Sequence, residues 1–123
     1  MTEIVKTTLR GVPALWSKRI PFDCNGTLRA VVIETGSYQA VRLAKQFGTF
    51  AESPESRDNP FGQLPVIHGQ ALVNDMVDDG PIYVVYSYQT PIAWVTKSGT
   101  EVHPPVRYSV TTSKHQGKLH HQS

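Results

Sequence analysis

The stretch PIYVVYSY, residues 81–88, constrains the fold more than any other part of the chain. Its β-branched and aromatic residues run on without polar alternation. That composition suits a strand buried on both faces, and therefore one in the middle of a sheet. The 123 residues allow one compact domain around it. Nine prolines and nine glycines require the other elements to be short and often interrupted.

The neighbours of this stretch read as sheet. LRAVVIE, 28–34, is a strand by composition, and DCNGT before it is a turn, with Asn25-Gly26 suited to positive φ. TPIAWVT, 90–96, continues through the turn KSGT into EVHP, a hairpin pattern. Pro104-Pro105 bends the chain before VRYSVTT, read as a last short strand. EIVKTTL, 3–9, fits a short strand or an ordered arm. Pro13 and Pro21 rule out a long element in GVPALWSKRIPF, where Trp16, Ile20 and Phe22 cover one edge of the core.

Between these strands the signals are weaker. SYQAVRLAKQF, 37–47, mixes helical spacing with a strand reading, and the strand is favoured at its start. Residues 48–62 read as a long polar loop. LPVIHGQALVNDMVDDG, 64–80, predicts a short helix beginning near Pro65 and stopped by Asp78-Asp79-Gly80. Gly69 costs that helix about 1 kcal/mol relative to alanine. The expected fold is α+β: a mainly antiparallel sheet of about four to six short strands with one short helix. Residues 1–117 form the domain, and 118–123 a frayed polar tail.

Cys24, the single cysteine, has no internal partner for a disulfide, which points to a reducing compartment. The N-terminal residues lack the apolar core of a secretory signal, and no apolar run approaches the roughly 20 residues that cross a bilayer. An intracellular location without membrane contact is expected. The net charge of +2 does not argue for nucleic acid. Its distribution is uneven, however. Residues 81–123 hold four Lys/Arg against Glu101 alone, together with four of the five histidines.

No familiar catalytic signature or zinc-ligand spacing is present, and no cofactor is implied. What stands out is polar density after the best core segment. If 106–112 is a strand, its side chains alternate. Arg107, Ser109 and Thr111 then share an outward face, while Tyr108 and Val110 turn to the core. Thr112, Ser113, Lys114, His115 and Gln116 follow, with Thr90 and Trp94 on a neighbouring strand. Arginine suits carboxylate or phosphate, hydroxyls bond either, and Trp94 offers a stacking face. The same residues fit a structural role, since Ser and Thr bond local backbone where a strand ends. A catalytic reading would use His115 as base and Ser109, Thr111 or Ser113 as nucleophile, with no acidic orienting residue nearby.

YVVYSYQTPIAW followed by VRYSVTTSKHQG resembles a family of small uncharacterised proteins of actinobacteria and their bacteriophages. The likeness is carried by Tyr83, Ser87, Tyr88, Thr90, Pro91, Ile92, Ala93 and Trp94. It continues in Pro104, Tyr108, Ser109, Thr111, Thr112, Ser113, His115 and Gln116. GQLP at 62–65 and FDCNGTLRAV at 22–31 resemble the same family, whereas 34–61 does not align. The resemblance implies a phage or actinobacterial cytoplasmic protein and no reaction. The expected function is non-enzymatic binding of a host macromolecule, a host protein first. Nucleic-acid binding through the basic C-terminal part is the alternative, and a small hydrolase or nuclease using His115 the third reading. An edge strand leaves homodimerisation open.

Overall fold

The computed structural model describes residues 4–53, 59–78, 80–106 and 110–119. Among the described residues six strands form one sheet in the order of the chain: β1 (Val5–Lys6), β2 (Phe22–Cys24), β3 (Leu28–Ile33), β4 (Ile82–Ser87), β5 (Thr90–Val95) and β6 (Glu101–Val102). Only β1 and β2 run parallel; the other pairs are antiparallel. Helix α1 (Val12–Ser17) crosses between β1 and β2, and α2 (Tyr38–Glu52) and α3 (Val66–Asp78) lie between β3 and β4. Helix α4 (Val110–Gly117) follows the sheet. The architecture is α+β, and β4 is central, with all six residues buried.

Strand alternation divides the core into two layers. Tyr83 and Val85 join Leu28, Ala30, Val12, Trp16 and Leu119 on one side, under α1 and α4. Ile82, Val84 and Tyr86 join Ile33, Trp94 and the inner residues of α2 and α3 on the other. Between β4 and β5 the register shifts after Val85, so that Ile92 is an extra residue. This bulge places Ile92 and Ala93 in the same layer. Pro91, with no N–H to give, sits beside the bulge, where a strand tolerates it.

The 37–47 segment is helix, not strand. Ser37 holds extended backbone, and its Oγ accepts from the Ala40 N–H at 3.1 Å, an N-cap. Ala40, Leu43, Phe47 and Phe50 then fall on one face and enter the second layer. The helix runs on to Glu52, into what reads as loop. Gly69, costly to α3 by propensity, faces the Phe47 ring so closely that a Cβ would collide with it. Phe47 is itself buried and packs against Phe50 and Phe61.

Two corrections concern the C-terminal part. Val110–Gly117 is helical, so the strand predicted for 106–112 does not hold at 110–112, and Thr111, Thr112 and Ser113 lie on a helix. The β-branched Val110-Thr111-Thr112 favours strand, but burial of His115 on the helix and of Leu119 in the turn just past it outweighs local preference. Leu119, assigned to the frayed tail, is 0% exposed.

At the β6 edge, Arg19 donates to the Trp16 carbonyl at 2.8 Å, lies 4.5 Å from the Trp16 ring centroid and pairs with Glu101. Glu101 also meets His103 Nε2 at 3.1 Å. The hydrogen bond from His103, then Arg19, holds the Glu101 carboxyl below its ordinary value, against partial burial.

Candidate functional site

Three turns meet at one end of the sheet. In the first, Asp23 Oδ1 accepts from the Gly26 N–H at 2.7 Å, and Asn25 and Gly26 take positive φ. In the second, Asn59 Oδ1 accepts from the Phe61 N–H and Asn59 Nδ2 donates to the Leu64 carbonyl, both at 2.8 Å. The third is the β4–β5 hairpin through Tyr88 and Gln89. The Tyr88 N–H donates to the Thr27 carbonyl at 2.8 Å, and the Gln63 N–H to Thr90 Oγ1 at 2.9 Å. Gly62 has φ +61, and a Cβ there would strike Thr90 Oγ1 and the Gln89 backbone.

These docked turns border an open cavity of about 470 Å³. That lies within the range of small-ligand sites, about 300–1,000 Å³. Gly26 and Arg29 line it from the first turn and β3, Gly62 and Gln63 from the second turn, and Tyr88, Gln89 and Thr90 from the hairpin. Arg29 is the charged residue of this lining. Its guanidinium lies 5.4 Å from the Tyr86 ring centroid. Asp23 stands opposite Arg29 in the β2–β3 register, yet its carboxylate caps Gly26. Among the described residues Arg29 forms no ion pair. Burial pushes the Tyr86 hydroxyl up to about 12, with Arg29 opposing the shift.

His115 lies beside the hairpin, and its Nδ1 meets Ser87 Oγ at 2.8 Å. Both residues are buried, His115 at 3% exposure, and the Tyr88 ring lies 6.2 Å from the imidazole. Burial lowers the His115 pKa from its ordinary value. A serine bonded to a histidine has the form of an activated nucleophile. Here both groups are buried, and among the described residues no carboxylate bonds the ring. The pair instead ties α4 to the end of β4.

The proton balance gives an expected result. An unfolded chain protonates this imidazole near pH 6.5, whereas the folded chain resists until the pH is lower. His115 therefore leaves stability intact above about pH 6.5 and erodes it as the pH falls through the folded-state value. Glu101, also held down by folding, loses its contribution in a lower, carboxylate window. Urea midpoints between pH 8 and pH 5 should fall toward the acid end. A curve that stays flat, or is unchanged in a His115→Leu variant, would contradict the assignment.

The remaining predicted residues are scattered. Trp94, expected to offer a stacking face, is 0% exposed and donates from Nε1 to Asp75 Oδ2 at 2.8 Å. Thr90 is buried, with its Oγ1 engaged by Gln63. Gln116 Nε2 donates to the Val106 carbonyl at 3.3 Å. Lys114 is exposed on α4. Arg107 and Ser109 lie outside the described residues. Among the described candidate binding residues, Thr90 alone lines the cavity. Among the described residues no helix is long and apolar enough to cross a membrane.

A family model described as a family of unknown function (DUF8033) matches residues 28–123. The match includes 34–61, the segment that the resemblance left unaligned, and every cavity-lining residue except Gly26. No curated protein and no solved structure matches the chain.

Proposed function

The chain belongs to DUF8033, a family of unknown function, and because that membership brings no activity with it, we propose from the geometry that this is a non-enzymatic interaction protein whose partner docks at the β4–β5 hairpin end. The observation that carries this reading is the convergence of separate stretches on one cavity of mixed polar and apolar lining. FDCNGTLRAV supplies Gly26 and Arg29, GQLP supplies Gly62 and Gln63, and YVVYSYQTPIAW supplies Tyr88, Gln89 and Thr90. These are three of the segments that resemble the actinobacterial and phage proteins. The fourth, TTSKHQ, reaches the back of the same hairpin through His115. On this reading the protein acts in a bacterial cytoplasm, made during phage growth, and its partner is a host protein.

The geometry disfavours the two other readings. A hydrolase using His115 would need the buried Ser87–His115 pair to open to substrate. A nucleic-acid strand would need several phosphate contacts, and among the described residues Arg29 is the cavity's one cation. A photo-crosslinking residue in place of exposed Gln89, expressed in host cells, should trap a protein. The same residue in place of exposed Lys97, on the β5–β6 turn, should not. The trapped species should vanish when Gln63→Ala and Thr90→Val are added to a chain that still melts cooperatively. Equal labelling from both positions, or trapped nucleic acid, would sink the proposal.

A further inference from the structure

We infer that the cavity at the hairpin end recognises a carboxylate on the docking partner, an aspartate or glutamate in an exposed segment, with Arg29 as its counter-ion. This rests on the reading above that the cavity is the partner site. The lining offers a planar guanidinium that is already positioned and has no ion-pair partner among the described residues. The Tyr86 face supports it from one side. The nearest acid by register, Asp23, is committed to its own turn. A guanidinium held this way matches the two oxygens of a carboxylate with parallel hydrogen bonds.

The surroundings favour a peptide carboxylate over a phosphate. A single guanidinium with Asp23 opposite it suits a monoanion better than a dianion. Gln63 and Gln89 add side-chain amides that both donate and accept, as a peptide backbone requires. Tyr88 gives a separate indication. It is the first residue of a two-residue hairpin turn and has φ +57, a place where glycine is usual and a bulky residue strained. Its side chain is nonetheless 50% exposed at the cavity. An outlier of this kind points toward a use for the side chain, here an aromatic surface against the docked segment.

The probe is a displayed library of random heptapeptides, selected against the full tagged chain. Recovered sequences should be enriched in Asp and Glu. Replacing that acid by its amide in a synthetic copy should weaken binding about tenfold or more, as loss of a charged hydrogen bond does. Arg29→Gln should produce the same loss, and the two changes together little more than either alone. Arg29→Lys should recover only part of the binding. Tyr88→Gly should weaken binding while leaving the melting temperature equal or higher, a separation that a merely structural tyrosine would not give. Additive losses, or a library yielding no acidic preference, would overturn the carboxylate assignment. So would displacement of the peptide by inorganic phosphate. If the selected peptides ignore Arg29 but are lost with Gln63→Ala and Thr90→Val, the docking site stands and only its acidic specificity falls. If they ignore every cavity residue, both fall.

Discussion

Trp94→Ala should lower the unfolding free energy by about 3–5 kcal/mol, the usual cost of emptying a large buried aromatic site. Domains of ordinary size are stable by about 5–15 kcal/mol, so the variant would be folded only marginally. The size of the effect follows from what the indole joins. It lies on β5 within the layer covered by α2 and α3, and its N–H reaches Asp75 on α3 at 2.8 Å. Trp94→Phe separates the two contributions. It keeps most of the ring and gives up the hydrogen bond, so it should cost about 1–3 kcal/mol. Urea unfolding with unchanged slope checks both numbers. A Trp94→Ala loss below about 1 kcal/mol would mean that the indole is not packed as described.

His115→Ala should cost about 2–4 kcal/mol, combining a cavity with the loss of a buried hydrogen bond. The imidazole is 3% exposed and spans the gap between α4 and Ser87. Ser87→Ala alone should cost less, because it removes a small group. In the double variant Ser87→Ala/His115→Leu, an apolar pair replaces a polar one, and part of the loss should return. Strictly additive losses in thermal or urea unfolding would deny the coupling. The same set serves the functional argument: if Ser87 and His115 only hold the fold, peptide binding by folded variants should survive their replacement.

Much of the sheet is legible in the residues because its physics is local. Ile82–Ser87 carries no polar alternation and is buried on both faces. Asn25-Gly26 takes the positive φ that its composition suggests. Helix α3 begins just after Pro65 and runs to Asp78, within the stretch read as helical. The failures come where distant packing overrides local preference. Tyr38 and Val41 look like strand residues, but both are exposed on α2, while the spacing of Ala40, Leu43, Phe47 and Phe50 marks the buried face. The Ser37 cap was the available signal for that helix. In Val110–Gly117 the β-branched start misleads, and only contacts with β4 reveal which residues turn inward.

The candidate site was harder to read for a different reason. Arg29 looks like an ordinary strand residue, and it becomes distinctive only because Asp23 bonds Gly26 instead. Gln63 and Gln89 are far apart in the chain, and nothing near either one announces the other. Tyr88 and Gln89 sit just upstream of a denser run of hydroxyls and histidine, whose composition gives the stronger polar signal. The positive φ of Tyr88, its most telling property, is a matter of hairpin length and cannot be seen in the residue type.

The placement of His115 and Leu119 bears on how the molecule is born. A ribosome makes these residues after all six strands, yet Leu119 completes the layer formed by Val12, Trp16, Leu28 and Val85. Until it emerges, one side of the nascent sheet stays wet and sticky. Such a chain is a natural client for chaperones and is prone to clump when synthesis stalls before Leu119.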